Sequence, residues 1–315
     1  MPRDRSKDIR ELIRIFFVAL GLLVVLNLAA TYAGDAVLHH SAFRFSRILT
    51  GKIDVDLLIA GNSRGVNLLT ARDAGSKATV FNLSYNGLNG ASSLALVQEF
   101  FLRGNKASAV AIEVSTLGVE GGSCYTKPYW GQMPMLAAAN AAACSQDAQT
   151  ARYLPLTRFD SELFLRALYY ATVHARTDQD WADQYRMNSA QCRRYHEHGD
   201  ASKLRPFVSQ DVGMLWRRLA AFQGWMAQHA PGTRIVYVLA PFLSTPATVG
   251  DVDTLVAAED KVFGGNFLDL SKALGGNCDD FADLFHLSAV GRPRIVDPLI
   301  AYVRRVRGVP DFRRP

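Results

Sequence analysis

Short apolar runs, each closed by glycine or a polar residue, recur along the chain from about residue 53. A continuous apolar run of this length predicts a strand that is buried on both faces. The predicted strands are 55–61, 79–84, 109–115, 234–241 and 266–271. Segments with helical spacing of apolar residues separate or follow them, at 91–103, 211–230, 252–263 and 288–306. Strands that alternate with helices predict an α/β fold with a parallel sheet and helices on both faces.

The alternation stops after the third predicted strand. The residues that follow hold an Ala-rich run (137–143), an aromatic-rich stretch with helical spacing (161–174) and a polar stretch (176–200). We interpret the region of about 117–210 as a large helical insertion over the mouth of the sheet.

The N-terminus holds a different pattern, because the run Ile15–Ala33 contains no charged residue. About 20 apolar residues span a bilayer core. A charged start followed by such a run fits an uncleaved signal anchor or a cleavable signal peptide, with Thr31–Ala33 as a small-residue cleavage site. We favour the anchor, with its short basic end in the cytoplasm and the rest of the chain in the periplasm of a bacterium. The expected organisation is a cytoplasmic tail (1–14), a single transmembrane segment in the inner membrane (15–33), a linker (34–52) and one domain (53–315).

Composition narrows the function classes. Hydrophobic residues make up 49% and charged residues 20% of the 315 residues, which excludes a largely disordered chain. A mean hydropathy of +0.02 argues against a polytopic membrane protein. The net charge of +6 is concentrated at the two ends, and no basic stripe crosses the core, so we expect no nucleic-acid partner.

The four cysteines, Cys124, Cys144, Cys192 and Cys278, match no zinc-binding spacing. An even number in an exported domain allows two disulfides, and four unpaired thiols are the alternative. We expect at least one disulfide, Cys124–Cys144, which closes a short loop at the start of the insertion.

Three candidate chemical groups stand out. Ser63, in Gly-Asn-Ser-Arg, follows the first predicted strand, where open α/β sheets bind ligands; an ordinary helix cap is the alternative. Asp283 and His286 have a spacing that puts both side chains on one side of a helical turn, so that the aspartate can hold the imidazole; a helix-start aspartate with a surface histidine is the alternative. Gly87, after the second strand, can bring a backbone N–H to a ligand, or simply belong to a loop.

The order of these motifs resembles the SGNH/GDSL hydrolase superfamily. The motifs are G-N-S-R, then N-L-S-x-x-G, then F-L-D-L-S and D-x-x-H-L-S-x-x-G. The resemblance covers 54–115 and 233–305, and is strongest to the membrane-anchored branch that O-acylates cell-envelope polysaccharides, the alginate-acetylation type. It implies a flavodoxin-like sheet.

The resemblance also implies roles for particular residues. Ser63 becomes the nucleophile, His286 the base and Asp283 its orienting acid, and the backbone N–H groups of Ser63 and Gly87 form the oxyanion hole. Neither a metal nor another cofactor is implied. The sequence departs from the family in having Asn62 for the usual aspartate, and in lacking the asparagine that follows the third strand. Glu113 and Ser115 stand near that place, and the third oxyanion donor is unassigned. Candidate substrate-binding residues are Asn62, Arg64, Asn86 and Asn89.

The implied function is an extracytoplasmic serine esterase or O-acyltransferase that takes an acyl-ester donor and a glycan acceptor, alongside other polysaccharide-modification proteins. Two alternatives remain open. One is a non-catalytic scaffold of a polysaccharide synthesis or export complex. The other is a lipase or thioesterase, which an aromatic-rich insertion (Phe164, Tyr169, Tyr170, Trp181) would suit.

Overall fold

The computed structural model describes residues 5–115, 117, 121–173, 194, 212–245, 249–263 and 266–306. Its centre is one parallel sheet with the strand order β2-β1-β3-β4-β5. The strands are β1 (Asp54–Ala60), β2 (Val80–Asn82), β3 (Lys106–Glu113), β4 (Arg234–Leu239) and β5 (Phe267–Asp269). Each of the five predicted strands is therefore confirmed, and the fold class is α/β.

Helices cover both faces of this sheet. The helices along it are α3 (Ser63–Val66), α4 (Ala71–Ala74), α5 (Gly90–Leu102), α9 (Val212–His229), α10 (Val249–Phe263) and α11 (Arg292–Arg305). Alternate residues of β1 point to opposite faces, as strand geometry requires. Leu58 belongs to the core cluster shared with α5, α9 and α10, whereas Leu57 and Ile59 belong to the cluster shared with α4 and α11. The apolar runs have no polar face because both sides of the sheet are covered.

The insertion is helical where it is described. It contains the 3-10 helix Cys124–Tyr129, α6 (Pro134–Asn140), α7 (Ser145–Tyr153), the 3-10 helix Pro155–Phe159 and α8 (Glu162–Thr172). The predicted polar stretch 176–200, apart from Arg194, lies outside the described residues, as do Trp181 and Cys192. The predicted disulfide Cys124–Cys144 is confirmed, with the two Cα atoms 5.6 Å apart. Cys278 is disulfide-bonded as well.

One N-terminal helix, α1 (Arg5–His40), is long and apolar enough to cross a membrane, and a signal sequence would have the same character. Its most apolar 18-residue window has a mean hydropathy of 2.5 and is not buried against the domain.

The segment 34–52 differs from the predicted linker. Helix α1 continues through Gly34 to His40, and a short helix, α2 (Arg44–Ile48), follows at once. Phe43 and Phe45 are buried in the core. Arg44 is also buried, and its guanidinium donates to the carbonyl oxygen of Ser84. The helix and the domain are thus joined by packed structure.

Candidate active site

The turn after β1 presents the Ser63 side chain. Gly61 has a φ of +154°, and a Cβ there would lie 2.9 Å from the Cβ of Glu113, so glycine is needed for this close approach. Asn62 caps α3, because its side-chain oxygen accepts the backbone N–H of Arg64 at 3.0 Å. Since Asn62 fills the capping role, the hydroxyl of Ser63 is left for another partner.

That partner is His286. The Nε2 atom of His286 lies 2.7 Å from the Oγ atom of Ser63, and its Nδ1 atom lies 2.7 Å from Oδ2 of Asp283. The side chains of His286 and Asp283 keep 14% and 28% of their surface exposed. The structure thus brings together the three side chains that the sequence motifs single out, in a chain of two hydrogen bonds.

Asp283 and His286 do not lie on a helical turn, which corrects the expectation from their spacing. They lie in a loop closed by the antiparallel bridge of Phe281 with Leu287 and by a 2.7 Å bond from the N–H of Ala282 to the carbonyl of His286. Oδ1 of Asp283 accepts the backbone N–H groups of Phe285 and His286, each at 2.9 Å. Such an aspartate-centred turn also sets residues three apart side by side. One carboxylate oxygen shapes the loop and the other holds the imidazole.

The charge state of Asp283 fixes the orientation of the imidazole. Burial raises the pKa of the carboxyl, but the hydrogen bond and charge of His286 and the two backbone N–H groups outweigh burial, so the pKa is lowered from its usual value. An ionised carboxylate only accepts hydrogen bonds. Nδ1 therefore carries a proton toward Asp283, and in the neutral ring Nε2 turns its lone pair toward the Ser63 hydroxyl.

The loop after β2 runs beside the Ser63 turn. Backbone bonds from Leu83 to Ile59 (2.7 Å) and from Tyr85 to Gly61 (3.3 Å) continue the β1–β2 pairing past the end of β2. Gly87 follows in this loop with a φ of +71°, a conformation that favours glycine. Gly87 is exposed, so a ligand can approach its backbone.

The carbonyl that shares a peptide group with the Gly87 N–H belongs to Asn86. This carbonyl accepts a 2.9 Å hydrogen bond from the hydroxyl of Tyr125. Because a trans peptide holds its C=O and N–H in opposite directions, fixing one fixes the other. Sequence reasoning missed Tyr125, because no local pattern links it to a loop 39 residues earlier.

The candidate substrate-binding residues differ in their positions. Asn86 is half-buried beside Gly87. Asn62 and Asn89 are buried helix caps: Asn89 accepts the N–H of Ser92 at 2.7 Å and donates to the carbonyl of Gly121. Their side chains shape the backbone around the site.

Arg64 does not face the site, contrary to expectation. Its side chain is 1% exposed, and Nε donates to Oε1 of Glu113 at 3.1 Å. Nη2 donates to the carbonyl of Ala240 at 2.5 Å, and the guanidinium lies 3.7 Å from the ring centroid of Phe242. Arg64 therefore ties the first turn of α3 to the ends of β3 and β4.

The ion pair between Arg64 and Glu113 also bears on the question of the third oxyanion donor. Glu113 is a buried acceptor, and the hydroxyl of the buried Ser115 donates to its Oε2 atom at 2.8 Å. Both side chains are engaged with each other below the Ser63 turn. The structure brings neither of them forward as a third donor.

Asn82 is a second residue that sequence reasoning passed over as a site residue, although a polar residue that ends a buried strand is a usable signal. Its amide donates to the carbonyls of Gly65 and Leu69, at 2.8 and 2.9 Å, and its oxygen accepts the N–H of Ser84. These bonds fasten the end of α3 to β2 and so hold the Ser63 turn in place.

Within the described part of the chain, no group of three or more His, Cys, Asp or Glu side chains is arranged to hold a metal ion. No protein-family model and no curated protein sequence matches this chain.

Proposed function

We propose that the chain is a serine esterase or O-acyltransferase that works through Ser63, His286 and Asp283. The proposal rests chiefly on the 2.7 Å contact between Nε2 of His286 and Oγ of Ser63, with an ionised carboxylate on the far side of the ring. A base that is held in one tautomer and aimed at a hydroxyl activates that hydroxyl as a nucleophile.

The reaction proceeds in two displacements. His286 takes the Ser63 proton as Oγ attacks the ester carbonyl, whose π electrons move onto its oxygen. The tetrahedral intermediate then collapses. The alcohol oxygen of the ester leaves with the proton from His286, and the acyl group stays on Ser63. Water or a sugar hydroxyl then gives its proton to His286 and attacks the acyl carbon, and Ser63 leaves with the proton restored. Water gives hydrolysis, and a sugar hydroxyl gives acyl transfer.

The backbone N–H groups of Ser63 and Gly87 are the oxyanion donors in this proposal. The N–H of Ser63 stands at the first position of a helix, where it has no partner within the helix. The N–H of Gly87 stands in the exposed loop alongside. Two donors without a third are consistent with a slow enzyme, because one oxyanion donor is worth about 100- to 1000-fold in rate.

We extend the proposal to the family and the location. The strand order 2-1-3-4-5, with Ser63 after β1 where the order switches, supports a flavodoxin-like sheet of the SGNH type. The apolar helix α1 and the disulfides support an inner-membrane anchor with the domain in the periplasm. The substrate class is then an acyl ester as donor and an envelope or exported glycan as acceptor, with other polysaccharide-modification proteins as partners.

A fluorophosphonate probe tests the nucleophile. Wild-type protein should be labelled covalently, Ser63→Ala and His286→Ala should not, and Ser76→Ala should be labelled like the wild type because Ser76 is an exposed serine away from the site. Turnover of a simple acetyl ester should follow the same order. Two results together would favour the scaffold alternative over an enzyme. They are wild-type protein that the probe does not label, and cells whose glycan is unchanged when they carry Ser63→Ala.

A further inference from the structure

The 3-10 helix Pro155–Phe159 of the insertion packs along the apolar helix α1. Its Leu156 N–H donates to the side-chain oxygen of Asn27 at 3.1 Å. Two residues later, Arg158 donates to both carboxylate oxygens of Asp35, each at 3.2 Å. The Phe159 ring lies so close to Gly34 that a Cβ there would approach it to 2.5 Å. These contacts hold one piece of the domain against α1 from Asn27 to Asp35.

The depth of this contact follows from helix geometry. The charge-free part of α1 runs from Ile15 to Gly34, and at 1.5 Å per residue it is about 30 Å long, which matches the hydrocarbon core of a bilayer. Asn27 then lies about 12 Å along the helix from Asp35, on the membrane side. A span placed one turn or more toward the N-terminus would bring in Arg10, Glu11 and Arg14, which are unfavourable in lipid.

The chemistry of Asn27 fits that depth. The first N–H groups of a helix have no partner within the helix, and lipid offers no water to satisfy them. Asn27 is a polar residue in an otherwise apolar stretch, and its oxygen supplies the acceptor for the Leu156 N–H. Its backbone carbonyl also accepts the hydroxyl of Thr31 at 2.7 Å.

The outer side of the same segment is apolar. Tyr153, Leu154 and Leu156 are 77%, 45% and 44% exposed, although Leu156 is fastened to α1 through its backbone. Tyr32, on α1 itself, is 80% exposed at the same end of the charge-free run. Tyrosines of this kind favour the boundary between lipid and water.

We propose that residues Tyr153–Phe159, which we name the collar, enter the lipid leaflet from which α1 emerges, with Leu156 beside Asn27 in the lipid and the Arg158–Asp35 ion pair at the headgroup boundary. The inference rests on the membrane anchor of the proposed function and adds a lipid-binding surface to it. The occupant of the collar is the bilayer itself, because the collar packs on the charge-free part of α1 at Asn27 and Gly34 and leaves Tyr153, Leu154 and Leu156 exposed. With the collar in the lipid and α1 joined to the core through α2, the domain has a fixed height and tilt above the membrane.

Spin labels on the full-length protein in phosphatidylcholine–phosphatidylglycerol vesicles test this immersion. Single cysteines at Tyr153→Cys and Leu156→Cys are compared with Val24→Cys, which reports the anchor, and with Val290→Cys, an exposed apolar position just before α11. Labelling without reductant leaves the native disulfides closed. Power saturation with oxygen and with a water-soluble nickel chelate separates lipid from water.

We expect the labels at 153 and 156 to collide with oxygen and not with nickel, as at Val24. The label at Val290 should be accessible to nickel as well as to oxygen. If the label at 156 is accessible to nickel while the label at Val24 lies in lipid, the collar proposal is wrong and the anchor proposal still holds. Exclusion of both reagents at 153 and 156 means that protein covers them, which also overturns it. Nickel access at Val24 refutes the anchor and the collar together.

A second variant tests the role of Asn27. Asn27→Leu keeps α1 apolar but removes the acceptor for the Leu156 N–H. The label at 156 should shift toward nickel access while the label at Val24 stays in lipid. An unchanged reading at 156 would show that Asn27 does not hold the collar in the leaflet and would count against the proposed fit between the two segments.

Discussion

The hydroxyl of Tyr125 donates a 2.9 Å hydrogen bond to the backbone carbonyl of Asn86, in the peptide group that carries the Gly87 N–H. Tyr125 follows Cys124, whose disulfide to Cys144 fastens this part of the insertion. A hydrogen bond to one end of a peptide group polarises the other end and makes it a stronger donor. The insertion therefore orients and strengthens one proposed donor of the oxyanion hole.

Tyr125→Phe should lower kcat of acetyl-ester turnover and leave KM nearly unchanged. The lost bond is worth about 1 kcal/mol, which corresponds to roughly a fivefold loss in rate. The exposed Tyr153→Phe is the control and should match the wild type. Steady-state kinetics decide, and a rise in KM at constant kcat would contradict an effect on the transition state.

Ser63→Ala and His286→Ala should each abolish turnover, and the double variant should lose no more than either single one. These residues act as a unit, so their effects do not add. Asp283→Asn should be less severe, with a loss of about 10,000-fold, because it mis-sets the imidazole without removing it. Single-turnover rates measure all four variants. Additive losses would mean that Ser63 and His286 do not share one step.

The lowered pKa of Asp283 predicts a pH-dependent share of stability. A carboxyl whose pKa is lower in the folded protein stabilises the fold above its unfolded pKa, about 3.9, and this share is lost as the pH falls through the folded value. The unfolding free energy of wild type minus that of Asp283→Asn should therefore shrink as the pH drops from about 5 to 3. Urea titrations at several pH values test this; a difference that stays constant would show that no such shift exists.

Arg64→Met should destabilise the fold by about 3–5 kcal/mol, because it leaves the Glu113 charge buried without its guanidinium. Adding Glu113→Gln should recover part of that loss, since the uncompensated charge is gone. Urea unfolding of the two single variants and the double variant gives the coupling. If Arg64 bound substrate instead, Arg64→Met would raise KM and leave stability unchanged.

Replacing both Cys124 and Cys144 by serine should cost about 3 kcal/mol of unfolding free energy, the amount expected for closing a loop with a sequence separation of 20. The variant should also lose activity in the same sense as Tyr125→Phe, because Tyr125 is held by this loop. Adding Tyr125→Phe to the serine variant should then lower kcat little further. If the losses in kcat from the serine variant and from Tyr125→Phe are independent, the disulfide does not act by positioning Tyr125.

The strands and the proposed catalytic residues could be predicted from the sequence because their signals are local. A strand buried on both faces needs an unbroken apolar run, and the five runs all became strands. Ser63 directly follows β1, at the edge where a parallel sheet binds ligands, and the short D-x-x-H motif marks His286 in the loop before α11. The spacing of Asp283 and His286 was less informative, because a helical turn and an aspartate-centred loop both place residues three apart side by side.

Only the tertiary structure decided what the other polar residues do. From the sequence, Arg64 is a candidate substrate ligand because it follows Ser63. The structure instead pairs it with the buried Glu113, 49 residues away. The predicted linker is packed because Phe43 and Phe45 fit the core, and Tyr125 reaches Asn86 from the insertion. Local pattern depends on neighbours within a turn or a strand, whereas these contacts depend on which distant segments the packed core brings within 3 to 4 Å.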